Sequence, residues 1–275
     1  MTMDVARRVD PARLGSLALT AAVLGLLAGL VAALFATVAA EPAVDEAIAI
    51  EEAAAQGDPM TAGDGAEADG GHDDEAVVSR DDQRGVGLFA AYALSGTAFG
   101  LLMALATHAL RHGRPRVGHR VLVAGAILAG AITVAPWLKY PPNPPAVGDP
   151  DSLSQRQSLY VTVILVTAIV GAAGAVLARR LRELGWPDHR RIAAVVAAVG
   201  VPLLALFAAL PGAPDEIPVP ASLVWRFRVG SLGANMTLWT VLTLALAWIT
   251  SEAAARRAAA GAAAPITEPE TSPTG

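Results

Sequence analysis

Hydrophobic and charged positions along this chain are segregated into blocks. Six stretches, residues 14–40, 86–110, 121–138, 159–178, 192–210 and 229–250, contain no Asp, Glu, Lys or Arg at all. Each is about long enough to cross a ~30 Å hydrocarbon core as a helix, since some 18–20 apolar residues suffice. The pattern predicts an all-α integral membrane protein, a bundle of about six transmembrane helices. Between them lie an acidic loop over 41–85, a proline-rich loop over 139–158 and a third loop over 211–228 on one side. Residues 1–13 form a terminal segment on the other side, and 251–275 are expected to be a disordered tail there.

Composition narrows the alternatives. Hydrophobic residues make up 54% of the 275 and charged residues only 16%. Six long apolar runs then leave too little polar chain to cover them in water, which excludes a soluble domain. The absence of cysteine removes disulfides, thiolate metal sites and cysteine nucleophiles. Lys139 is the sole lysine and does not follow a glycine-rich turn, so no P-loop is present. No nucleophile and base pair stands out, and no enzyme activity or nucleic-acid partner is expected.

The arginines orient the helices. With a cytoplasmic N-terminus, the inside segments hold Arg7, Arg8, Arg13, Arg111, Arg114, Arg116, Arg120, Arg179, Arg180, Arg182, Arg190, Arg191, Arg256 and Arg257. The outside segments hold only Arg80, Arg84, Lys139, Arg156, Arg226 and Arg228, as the positive-inside rule requires. Both termini are therefore expected to be cytoplasmic. The formal charge of −5 then divides into an acidic outer face and a basic inner one. The first span ends Val38-Ala39-Ala40, which resembles a signal-peptide cleavage site, but its apolar run is longer than a signal core and favours an uncleaved helix. Gly25 with Gly29, Gly96 with Gly100, and Gly171, Gly174, Gly230 and Gly233 have spacings suited to close helix packing. An Ala- and Gly-rich composition would also produce such pairs by chance.

None of the spans carries an internal charge, which removes the usual relay of a secondary carrier. Transport would have to use uncharged groups such as Ser95, Thr97, Thr133, Ser231, Asn235 and Thr237, backbone freed near Pro136 and Pro202, or a partner chain. The outside loops carry the charged chemistry. The acidic loop is glycine- and aspartate-rich in its centre and expected to be disordered there. Its start, from Glu41 and Pro42 through Asp45 to Glu51 and Glu52, has helical character and puts Glu41, Asp45 and Glu52 near one face. Carboxylates with few cations nearby raise the local concentration of metal ions; a solvated linker is the alternative. His72 beside Asp73, Asp74 and Glu75 offers an imidazole among oxygen ligands, a set suited to borderline divalent metals.

The second outside loop, Lys139-Tyr140-Pro-Pro-Asn143-Pro-Pro-Ala-Val-Gly-Asp149-Pro150, has five prolines in twelve residues. Such a loop is stiff and suits a vestibule wall. Arg156, Trp225, Arg226 and Arg228 lie on the same side, with Asp149, Asp215 and Glu216 as the acids available to pair with them. Lys139, Tyr140, Asn143, Arg156, Trp225, Arg226 and Arg228 are read as entrance residues or structural ion pairs. In a rival reading, Lys139, Arg156, Arg226 and Arg228 hold a phosphate or carboxylate headgroup in a membrane enzyme or lipid-handling protein. A structural subunit of another membrane complex is a third.

The first span running into Glu41-Pro42, Asp45-x-x-Ile48-Ala49-x-Glu51-Glu52, Val78-Ser79-Arg80, Gln83-Arg84-Gly85-Val86-Gly87, the proline loop and Trp225-Arg226-Phe227-Arg228-Val-Gly-Ser231-Leu232-Gly233 resemble the CbtA family, the predicted cobalt transporter subunit of bacteria. The proline loop is the most specific of these landmarks. The resemblance implies cobalt uptake supporting cobalamin synthesis, across the bacterial cytoplasmic membrane, beside a small single-span partner with a histidine cluster. Glu41, Asp45, Glu51, Glu52, Asp149 and Glu216 match its acidic landmarks. Co²⁺ would be cargo, with no permanent cofactor, and a homo-oligomer is compatible with the missing intramembrane charges. Relatives often carry a histidine-rich first loop, whereas here only His72 is present, and carboxylates alone suit harder cations.

Overall fold

The computed structural model describes residues 11–56, 82–111, 116–145, 152–212, 217 and 219–262. Among the described residues eight α-helices follow one another: α1 Pro11–Ala39, α2 Glu41–Gln56, α3 Leu88–Ala109, α4 Val117–Ala129, α5 Ala135–Lys139, α6 Leu153–Glu183, α7 Asp188–Ala209 and α8 Ala221–Ala262. No strand occurs among the described residues. Among the described residues six helical segments are long and apolar enough to cross a membrane, beginning with Leu14–Ala39 and ending with Ala221–Ala259.

Several helices overrun the charge-free stretches. Helix α6 includes Arg156 at one end and Arg182 at the other. The 42 residues of α8 extend about 63 Å at ~1.5 Å per residue, roughly twice the hydrocarbon thickness. Trp225, Arg226 and Arg228 therefore sit on the first turns of a helix rather than in a loop, and the helix continues past Thr250 into the segment expected to be a disordered tail. A helix satisfies its own backbone hydrogen bonds, so it has no reason to stop where the hydrocarbon does.

Small residues set the packing, as they must where lipid removes the hydrophobic drive between helices. Helices α1 and α3 lie against each other along Gly25, Gly29, Gly96 and Gly100, and a β-carbon on any of the four would collide with the facing backbone. Gly230 of α8 meets the carbonyl of Ala39, and Gly233 meets the Phe35 ring. Gly125 of α4 receives Thr243 of α8. A core of Ala21, Ala28, Ala32, Met103, Val121, Leu238, Leu242 and Leu246 results. Within it Phe99 stacks on Trp239 at 4.9 Å between ring centroids.

The third span is not a regular helix. Between α4 and α5 the chain widens into a π-helical turn, Gly130–Val134, directly before Pro136, which is fully buried. Proline cannot donate to the preceding turn, and a π bulge redistributes the carbonyls it leaves. Thr133 on this turn accepts a hydrogen bond from Trp239 Nε1 at 2.9 Å.

Helices α6 and α7 form a hairpin. Its turn is closed by Trp186 N–H donating to the Leu181 carbonyl and Gly185 N–H to that of Arg182, both at 3.0 Å. Gly185 takes the left-handed φ of +75° that this Schellman closure requires and that glycine supplies without strain. Gly174 packs on Val199 across the hairpin. None of the residues of α7 is buried.

Candidate functional site

Helix α2 leaves α1 after the single residue Ala40 and lies on the start of α8, burying Ala43 and Ala47 against Leu223, with Ile50 and Phe227 beside them. Its carboxylates consequently project along the end of the bundle. Glu41 is only 7% exposed and lies within electrostatic reach of the Tyr92 phenol. Asp45 pairs with Arg84 at 3.0 Å, and Glu46 pairs with Arg226 at 2.5 Å. Both pairs are about half exposed, so they fix the position of α2 more than they stabilise the fold. Glu51 and Glu52 stay exposed at the far end of the helix.

The expectation of few cations near these carboxylates needs revision. Arg84, on the π-helical turn Gln83–Gly87, and Arg226, on α8, reach Asp45 and Glu46. Glu46 had no separate role in the sequence, because its partner is 180 residues away along the chain. No local pattern connects these residues, because Asp45 and Glu46 are neighbours in sequence and their arginine partners come from other elements. Among the described residues no group of three or more His, Asp or Glu is assembled to hold a metal ion. His72, Asp149 and Glu216 lie outside the described residues.

The proline loop is bonded to its neighbours. Lys139 Nζ donates to the carbonyls of Phe207 and Leu210, each at 2.8 Å, so its ammonium caps the C-terminal end of α7. Those carbonyls lack helical partners and carry the negative end of the helix dipole, which is where a cation is favoured. Tyr140 Oη donates to the Pro211 carbonyl at 2.9 Å, and burial pushes its phenol above the ordinary value, which keeps it a donor. Arg228 donates through Nε to the Pro142 carbonyl at 3.1 Å and through its terminal nitrogen to Asn143 Oδ1 at 2.8 Å. Trp137 Nε1 completes the join by donating to the Arg228 carbonyl at 3.0 Å.

Beside this loop is a cavity of about 450 Å³ lined by Tyr140, Pro142, Asn143, Arg156, Tyr160, Ile217 and Arg228. Two guanidiniums and no described carboxylate border it. Trp225, by contrast, is 60% exposed at the start of α8, the position of an interfacial anchor. The end of the bundle thus divides into an acidic helix face on α2 and a basic recess beside the proline loop, joined by α8, which sends Arg226 to one and Arg228 to the other.

Within the membrane, the uncharged polar groups are mostly turned back on their own helices. Thr97 donates to the Ala93 carbonyl and Thr237 to that of Gly233, both at 2.8 Å, and Asn235 Nδ2 donates to Ser231 at 2.9 Å. Thr133 is occupied by Trp239. Ser95 is exposed on the outer surface of α3, and Pro202 on that of α7. These residues do not converge on a polar path among the described residues.

A family model described as probable cobalt transporter subunit (CbtA) matches residues 14–251, which takes in the first five spans, most of the sixth, α2 and the proline loop. Comparison with curated proteins and with solved structures gives no match. With nearly the whole described bundle inside that match, the chain belongs to the CbtA family of cobalt transporter subunits.

Proposed function

We propose that this chain is the multi-span membrane subunit of a Co²⁺ uptake system that supplies cobalamin synthesis, and that the carboxylates of α2 gather the cation outside the cell. Family membership carries the transport role. The α2 face supports the gathering role: Glu41, Asp45, Glu46, Glu51 and Glu52 stand on one short helix against two arginines. The resulting excess of negative charge concentrates divalent cations at the surface by electrostatics alone. His72, Asp149 and Glu216 would add ligands from the adjoining loops.

The assignment of sides follows the arginine distribution. The α2 end faces outward, and both termini face the cytoplasm across the bacterial inner membrane. The spans lack charged groups, and Thr97, Thr237 and Thr133 are bonded within the bundle, so translocation draws on a partner. A small single-span subunit bearing histidine provides the softer ligand that carboxylates do not. Co²⁺ is cargo in this scheme, no cofactor is held permanently, and a second copy of the chain is compatible with it. The role is one of transport rather than catalysis.

Uptake of labelled Co²⁺ by cells expressing this chain with and without the single-span partner tests the assignment. Accumulation above the empty membrane is expected when both are present. If neither combination exceeds the empty membrane, the transport role fails.

A further inference from the structure

A second cavity, of about 720 Å³, lies on the flank of the bundle, bounded by α4, the Gly130–Val134 turn, α6 and α7. Its size falls within the range of about 300–1,000 Å³ typical of small-molecule sites. Its wall is aliphatic and glycine-rich, and it reaches from Phe207 near the α2 end to His119 and Arg182 at the opposite end. The helix that forms its outer wall, α7, buries none of its residues, so the cavity is bordered by lipid.

The charge at the His119 and Arg182 end is unbalanced. Glu183 pairs with Arg179 and Arg180, and Asp188 pairs with Arg191. These are the hairpin's two acids, and Arg182 has no ion pair among the described residues. An arginine at the mouth of an apolar groove, at the membrane interface, matches a phosphate whose attached chains enter the groove.

We propose that this groove binds an anionic phospholipid of the leaflet on the arginine-rich side, with an acyl chain between α4 and α7 and its phosphate at Arg182 and His119. The site is independent of the cargo and of the α2 face. Two glycines make it testable without disturbing the core, because a β-carbon on Gly130 or Gly200 meets no atom within 4 Å. Leucine at 200 would fill the groove and is a better helix former than glycine.

Native mass spectrometry of the full-length chain in detergent, titrated with phosphatidylglycerol or with phosphatidylcholine of the same acyl chains, reads the binding. The wild-type chain is expected to bind phosphatidylglycerol about tenfold more tightly, equivalent to one charge-assisted contact of about 1.4 kcal/mol. Arg182→Ala should erase that preference while retaining binding, and Gly200→Leu should weaken both lipids. Equal affinity of the wild-type chain for the two lipids, an unchanged preference in Arg182→Ala, or undiminished binding by Gly200→Leu would each overturn the proposal. Undiminished binding is also what a groove filled by a helix of another chain would give.

Discussion

Gly25 and Gly96 face each other so closely that a β-carbon on either would run into the other's carbonyl oxygen. The contact is reciprocal and is repeated one turn away, where Gly29 meets Tyr92 and Gly100 meets Ala21. Helices α1 and α3 are thereby packed backbone to backbone, a geometry that depends on four hydrogen atoms in place of side chains.

Replacing Gly96 by alanine should therefore destabilise the bundle, although alanine is the better helix residue. Forcing a methyl group into a closed contact costs about 1–3 kcal/mol. Gly200→Ala, with open space around it, should instead gain about 0.5–1 kcal/mol. Thermal unfolding of the two variants in detergent should give shifts of opposite sign. A destabilising shift in both would indicate that helix propensity and local space do not decide the effect.

Lys139 joins the proline loop to the end of α7 through two carbonyls. Lys139→Met keeps the apolar stem and removes the ammonium, so it should cost about 1.5–3 kcal/mol, the range for hydrogen bonds to a charged group. Hydrogen exchange should quicken first at Leu210, whose N–H closes the last turn of α7 on the Leu206 carbonyl.

Arg226 and Glu46 form an exposed pair, and their coupling should be small. A double-mutant cycle with Arg226→Ala and Glu46→Ala is expected to give about 0.5 kcal/mol at low salt and close to nothing at high salt. Exchanging the two residues should recover most of what either single change loses. A coupling of several kcal/mol would mean that the pair is buried by a neighbour on this face.

Thr107 is 1% exposed, and its hydroxyl has no hydrogen-bond partner among the described residues. Thr107→Val preserves shape and removes the unsatisfied group, so it should raise stability by about 1 kcal/mol. Thr237→Val, which removes a hydroxyl bonded to the Gly233 carbonyl, should give no such gain, and unfolding of the two in parallel makes the comparison.

The architecture was readable from the sequence to the extent that one physical rule governs it. Stretches free of charge are long enough to span, and the arginines alternate around them. The helical start of the acidic loop was likewise legible, because Pro42 tolerates a first turn and the following residues favour helix; α2 forms there. What could not be read is pairing across the chain. Lys139 finds Phe207, 68 positions away, and Arg226 finds Glu46, 180 positions away. No local pattern marks either choice. The glycine pairs were visible, but a chain so rich in alanine and glycine offers many equivalent spacings. Only the meeting of α1 with α3 selects Gly25 and Gly96. The break in the third span was signalled by Pro136, whereas the hydrogen bond that Thr133 on the turn before it accepts from Trp239 is a contact between separate spans.

The most direct test of cation gathering by α2 is initial uptake of labelled Co²⁺, measured across a range of concentrations, in cells expressing the chain and its partner. Wild type should be compared with a Glu51→Gln and Glu52→Gln double variant, since both side chains are exposed and removing them leaves the Asp45 and Glu46 pairs intact. About a tenfold loss at low cobalt is expected, with the maximal rate recovered at saturating cobalt. Uptake unchanged at every concentration would contradict cation gathering, as would a loss that saturating cobalt does not repair.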